Sequence, residues 1–441
     1  MVVPSPSTHL NKISSKNETE SRWESDSLGQ VEISADALYG IQTARAVACM
    51  SFSGATLAHY PDLIVFLATV KKACAAANHD AGVLDTNYSE AIQAACDDLI
   101  AGLHNDQFPV DMLHGGGSIA FNQNVNEVLT NLANLRLGGR LGDYSPISRQ
   151  HVNAGQSTAD VCHTAMRLCV SMRVEKLLAA LTNLRVVLQK KQVEFQDVQT
   201  LARTCMQDAM PVSLGTTFGA FETFVSRRFK QLQTAKAQMD SINLGGTVIG
   251  DGSGADLRYQ LQVPKRLSAL VGRELTVAGD RFDSAQHIDD LVDIANELKT
   301  LAEGLLKFAK DLRLLSSGPD GGFSEIVLPA MVEGSSFFKG KINPVIPESV
   351  IQACMVVIGC ARVVESAAEH GELNLNVFDG LAAKSVLDAA TILEGAVSIF
   401  SEHCVVGIAA NRQRCEELAG LGFELKQQSS DGLSKDSNEQ I

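Results

Sequence analysis

Aromatic residues are scarce in this chain: they make up 5% of its 441 residues, with a single Trp. Its core must therefore be aliphatic, and because Ala and Leu lead the helix propensities, packed helices are favoured over a sandwich of aromatic and β-branched strands. Positive charge is also in deficit, with 37 Lys and Arg against 51 Asp and Glu and a net charge of −14. This argues against a nucleic-acid partner, which needs clustered cations to displace counterions. Small anionic substrates stay open, since a few placed cations can dominate a cleft. The 35 Gly are far too few for a collagen-like repeat, and 10 Cys are too sparse for a disulfide scaffold. The cysteines show neither CxxC nor Cys/His ligand spacing, so they read as free, mostly buried thiols and no metal site is expected. No phosphate-binding Gly loop follows a strand, which leaves no nucleotide motif. The first twenty residues hold no signal-length apolar stretch, and nowhere do roughly eighteen uncharged apolar residues run together. The expectation is a cytoplasmic protein with no membrane contact.

What is present is a 45% hydrophobic chain, long enough for two or three domains at roughly 150 residues each. Residues 1–20 and those beyond about 425 are polar and read as tails. Between Glu24 and Gly54 short elements suggest a strand or hairpin followed by a turn. Helical periodicity then takes over, from Pro61 to Ala81 and from Asn87 to Leu103. Five long helical runs follow: Thr158 to Gln199, Leu214 to Ser241, His287 to Leu315, Pro347 to His370 and Ala382 to Ala410. Each far exceeds the mean helix of about 11 to 12 residues, and such apolar stripes must pack on one another as an elongated bundle.

Four segments rich in Gly, Ser, Thr and Asn interrupt this pattern: His114 to Val128, His151 to Asp160, Arg203 to Gly215 and Glu333 to Glu348. Taken singly, each reads as a loop with helix-capping residues. Together they carry a resemblance. Gly-Ser-Ser (334–336) followed by Lys-Ile-Asn (341–343) is similar to the signature loop of the fumarase and aspartase superfamily. Asn343 to Glu348 and Ala37 to Ala46 resemble the aspartase branch. NVNEV, HVN with GQST, RT with QDAMPVSLG, and Val405 to Cys415 complete the same order, and the resemblance covers roughly Arg22 to Cys415.

The resemblance implies a mainly α subunit with an N-terminal helical domain (21–156), a central long-helix domain (157–412) and a short C-terminal remnant (413–441). Its five central helices would build a twenty-helix core in a homotetramer whose active sites are each shared by three subunits. The implied chemistry is cofactor-free β-elimination on a small carboxylate substrate. A base removes the proton next to a carboxylate, an aci-carboxylate forms, and the leaving group departs. Ser335 matches the base, a role a Ser fills only when its oxyanion is stabilised by nearby donors. Lys341, Asn343 and Thr204 match the groups gripping the carboxylate beside the deprotonated carbon, and Ser157, Thr158 and Ser336 the donors to the distal carboxylate. His151 either orients its segment or caps a helix.

The departures from the family pattern cluster in the same pocket. Ile119, Ala120 and Phe121 replace a Thr-Ser-Thr, Ala159 replaces an Asn, and Cys205 stands where this branch usually has His. Phe338 and Lys339 replace a Met-Pro pair, with Phe337 before them. Ile119, Ala159 and Cys205 match positions around the departing amine, so a substrate with a bulkier or less polar amine is expected rather than plain aspartate. Cys205 is either a passive small residue or a thiol activated near Lys341. Two alternatives stay open: a catalytically silent homologue, or the same carbanion chemistry turned to another elimination, a cyclisation or a decarboxylation. The family's closing C-terminal domain is expected to be mostly missing.

Overall fold

The computed structural model describes residues 20–422; the tails expected at 1–20 and beyond about 425, Glu20 apart, lie outside the described residues. The described residues open on an antiparallel hairpin, β1 (Ser21–Asp26) and β2 (Gly29–Ser34), in register from Ser21 opposite Ser34 to Asp26 opposite Gly29. Six helices follow: α1 (Ile41–Met50), α2 (Pro61–Asp80), α3 (Thr86–Ile100), α4 (Ile119–Arg136), the single turn α5 (Arg149–Val152) and α6 (Thr158–Glu194). A second hairpin, β3 (Gln199–Thr204) and β4 (Gln207–Ser213), leads into α7 (Leu214–Gln238). Further helices are α8 (Leu257–Val271), α9 (Arg281–Gln286), α10 (Asp289–Leu315), α11 (Val345–Glu369) and α12 (Asp379–His403), and residues 412–422 are also helical.

The five long helices expected from periodicity are α6, α7, α10, α11 and α12, and they pack as one alternating bundle. Their directions follow from their contacts. Arg167 and Asp290 pair near the starts of α6 and α10, while Lys191 Nζ donates to Ile408 O beyond the end of α12. The start of α7 returns on the end of α6 through Gly215 N and Phe195 O, and Arg313 near the end of α10 meets Glu348 near the start of α11. So α6, α10 and α12 run one way and α7 and α11 the other. Contact between α7 and α10 is close enough that the Phe224 ring occupies the place of a Cβ at Gly304, 2.0 Å from the nearest ring carbon. Every residue of α6 from Ala159 to Ser171 is buried, which explains why this stretch tolerates no single-faced pattern.

Helices α11 and α12 are long and apolar enough to cross a membrane by length and composition, yet both lie lengthwise in the bundle. Only 33% of the most apolar window of α11 is buried. Met355, Val356 and Val363 point outward from it.

Several local expectations are corrected. The first Asn-rich segment is mostly not a loop: only residues 114–118 are, and α4 begins at Ile119. The asparagines of α4 are buried, and three of them serve as surrogate backbone partners for the surrounding loops. Asn124 Nδ2 donates to Gln107 O, Asn131 Nδ2 to Leu38 O and Asn134 Nδ2 to Ile147 O, while Glu127 accepts from the amides of Gly40, Gln42 and Thr43. Satisfying those loop groups offsets the weak helix propensity of Asn. The third segment is the β3–β4 hairpin rather than a loop, and α1 and α8 occupy stretches where no helix was read.

Candidate active site

The candidate residues fall into two groups at opposite ends of α6. The first group surrounds its N-terminus. Ser157 is the N-cap, its Oγ accepting from Ala159 N at 3.2 Å, and Asp160 reaches back to accept from Ser157 N at 2.9 Å. Asp160 also accepts from Gly245 N and Thr247 N, at 3.0 and 3.1 Å, and so ties a distant loop to this cap. Thr158 Oγ1 accepts from Asn122 Nδ2 of α4 at 3.1 Å, which brings the first two candidate segments together. The positive end of a 37-residue helix, with two hydroxyls beside it, is suited to a carboxylate.

Beside this site Ala159 is buried, as are Ala120 and Phe121, whose ring packs edge-on against His114 with centroids 4.4 Å apart. Ile119 faces outward, 38% exposed. His151 is used as a cap: its Nδ1 accepts from Ser148 N at 3.0 Å, and its ring lies 5.2 Å from that of Tyr88.

The second group lies beyond the C-terminus of α6. Cys205 and Met206 form the two-residue turn of the β3–β4 hairpin, with φ of 53° and 62°. Two consecutive left-handed residues suit the right-handed twist of a two-residue hairpin, and neither is the Gly or Asn that adopts this conformation cheaply. Thr204 and Cys205 are both exposed. Arg203 anchors the hairpin, donating to Glu325 at 2.7 Å and stacking over the Phe323 ring at 4.3 Å; Thr200 Oγ1 donates to the same buried Glu325.

At this end of the bundle the fourth segment closes on itself. Gly334 N donates to Lys341 O at 2.9 Å, and Asn343 Nδ2 donates to Gly334 O. A Cβ at Gly334 would lie 2.2 Å from Lys341 O, so this closure requires glycine. Within the loop the Ser335 hydroxyl accepts from two backbone amides, Phe337 N at 3.1 Å and Phe338 N at 2.8 Å. Phe337 and Phe338 are 85% and 61% exposed and meet edge to face, with Lys341 Nζ 5.9 Å from the Phe338 centroid. Ser336 is exposed beside them. Lys341 and Asn343 line a groove of about 960 Å³ that also holds Lys310, Arg313, Lys339 and Glu348. Despite the net charge of −14, this groove is locally cationic.

Thirty-seven residues at about 1.5 Å rise per residue separate the two groups by roughly 55 Å. Ser335, Ser336, Lys341 and Asn343 share one loop, with Thr204 and Cys205 at the same end; Ser157, Thr158, Ala159, Ile119 and His151 lie at the other. Residue pattern did not single out Asn122, Asn153, Asp160, Arg203 or Glu325, although the first four lie inside the quoted segments. Among the described residues no cluster of His, Cys, Asp and Glu is placed to hold a metal ion.

The same arrangement of chain recurs in known proteins. A family model described as lyase matches residues 29–359. The chain belongs to the fumarase and aspartase superfamily of lyases. An aspartate ammonia-lyase of Pseudomonas fluorescens is 43% identical over 399 residues, 90% of this chain and 84% of that protein. One from Helicobacter pylori is 40% identical over 397 residues, again 90% of this chain and 85% of its own length. Among solved structures, a fumarate lyase:delta crystallin from Brucella melitensis bound to cobalt superposes with a TM-score of 0.88 at 42% identity, covering 90% of this chain and 87% of that one. The class II fumarase of Schistosoma mansoni superposes with the same score and the same coverage at 30% identity.

Proposed function

We propose that this superfamily member is a carbon–nitrogen lyase that eliminates an amine from an amino dicarboxylate without a cofactor. The observation that carries the reading is the Ser335 hydroxyl, held on two backbone amides in the loop that bears Lys341 and Asn343. A Ser is a weak base until its oxyanion is stabilised, and two amide donors aimed at Oγ supply that stabilisation. The Ser335 alkoxide takes the proton from the carbon next to one carboxylate. The electron pair moves into that carboxylate to form the aci-carboxylate, which Lys341, Asn343 and Thr204 hold. The pair then returns, forms the double bond and expels the amine from the neighbouring carbon. Ser157, Thr158 and Ser336 bind the distal carboxylate.

Thr158 and Ser335 must meet for this chemistry, and one chain holds them far apart, so the site is assembled from different subunits of a homotetramer. The outward apolar face of α11, with Met355 at 59% and Val356 at 51% exposure, supports such an assembly. Around the amine, Ile119, Ala159 and Cys205 offer little hydrogen bonding, and a buried ammonium without partners costs several kcal/mol, about 2 to 7 for even a neutral polar group. The preferred substrate therefore carries a substituted, less polar amine.

The test is incubation of the purified protein with L-aspartate, L-malate and a panel of N-substituted aspartates, following unsaturated product by ultraviolet absorbance and mass spectrometry. Turnover of a substituted aspartate, lost in Ser335→Ala while the oligomer persists, is the expected result. Retained activity in Ser335→Ala removes the base, and efficient ammonia release from L-aspartate removes the substituted-amine reading. No turnover and no saturable binding across the panel favours a silent homologue.

A further inference from the structure

Behind the Thr158 site lies a cation that the elimination scheme does not use. Lys71, in the interior of α2, has no solvent exposure. Its Nζ donates to Asn153 Oδ1 at 3.0 Å and to Gln156 Oε1 at 2.9 Å. Asn153 Oδ1 also accepts from Asn122 Nδ2 at 3.2 Å and Asn126 Nδ2 at 3.1 Å, and Asn122 Nδ2 reaches Thr158 Oγ1 at 3.1 Å. One buried ammonium thus stands two amide side chains away from a hydroxyl assigned to substrate. The Oδ1 atom of Asn122 is buried there without a protein partner.

Both acceptors on Lys71 are neutral amides, so its charge is not neutralised by a bonded anion. The groups that face it are Asp160 and Cys162 of α6, Cys96 of α3 and Cys74 of its own helix. The Asp160 carboxylate is already committed to three backbone amides. If orientation of Asn153 and Gln156 were all that was needed, a neutral donor would provide it without the cost of burying a charge. A cation in a dry interior acts over distance on any anion bound at the adjacent helix terminus. Lys72, next in sequence, instead pairs with Asp97 near the surface.

We infer that Lys71 is a positioning residue of the distal-carboxylate site: through Asn153 and Asn122 it orients Thr158, and its charge supplies the potential that holds a second carboxylate. This inference rests on the assignment of Ser157 and Thr158 to a carboxylate. Burial pushes the Lys71 ammonium down from 10.5 to about 8, opposed by the thiols and Asp160. Its charge, and the affinity that depends on it, is therefore lost within the mildly alkaline range.

The experiment is calorimetric titration of the full-length oligomer with succinate, a dicarboxylate with no leaving group, from about pH 6.5 to about pH 9.5. Wild type is expected to bind with a steady Kd below about pH 8 and progressively more weakly above it. Lys71→Gln is expected to bind about tenfold more weakly at neutral pH, with no alkaline limb. A folded Lys71→Gln that matches wild type in affinity and pH profile overturns the inference alone. If the variant does not fold, the wild-type profile decides, and undiminished affinity above pH 8 overturns it. Wild type that binds no succinate at any pH overturns the carboxylate assignment and the inference with it.

Discussion

Arg203 Nη1 lies 2.7 Å from Glu325 Oε1, a contact that spans 122 residues and ties the hairpin bearing Thr204 and Cys205 to the end of the bundle. Glu325 is fully buried and Arg203 nearly so. Removing Arg203 leaves the buried Glu325 carboxylate without its charge partner and with the Thr200 hydroxyl as its remaining side-chain donor, so Arg203→Met is expected to cost about 3 to 5 kcal/mol. The double variant Arg203→Met, Glu325→Leu is expected to regain part of that loss. Thermal unfolding of the two single variants and the double closes the cycle; additive losses would show that the pair is not coupled.

Asp160 carries a pH signature. Burial raises its carboxyl from 3.8 to about 6, against the amides of Ser157, Thr247 and Gly245, which favour the charged form. The folded chain therefore holds a proton that the unfolded chain releases. This contribution to stability is fully present below about pH 3.8 and is lost as pH rises through about 6. Asp160→Asn is expected to flatten this part of the stability profile. It also costs about 1 to 3 kcal/mol at neutral pH, because an amide cannot accept from all three backbone donors. Unfolding midpoints measured across that window check both effects.

The outward face of α11 makes a separate expectation. Met355→Glu combined with Val356→Lys places two charges on a surface proposed to be dry in the oligomer. Sedimentation is expected to show monomers or dimers, with helix content retained and turnover lost. An unchanged tetramer would place the subunit contact elsewhere.

Much of the fold is legible in residue pattern. The run without Gly or Pro that begins at Thr158 is α6, and its start is marked by the Ser157 cap and Asp160 three residues on. Its end is not marked, because no Gly or Pro stops it before β3, and so the periodic reading overruns Glu194. The Asn-rich start of α4 reads as loop because Asn usually serves turns; here tertiary partners, Gln107 O and Asn153 Oδ1 among them, override that preference. Pro264 inside α8 likewise hides a helix. The loop containing Ser335 is recognisable from its residues, whereas the two amides on its hydroxyl require coordinates. Lys71 carries no local signal at all: a Lys-Lys pair in a helix reads as solvated, and only the packing of α2 against the 153–156 turn separates Lys71 from Lys72.

The distance between Thr158 and Ser335 along α6 is the most demanding feature of the proposed mechanism, and subunit mixing tests it directly. Ser335→Ala and Thr158→Val proteins, each inactive, are unfolded together, refolded to mixed oligomers and assayed on the N-substituted aspartate that wild type turns over. If sites draw Ser335 from one subunit and Thr158 from another, some mixed sites hold both residues intact, and activity absent from either parent appears. Verified mixed oligomers as inactive as their parents would contradict the shared site.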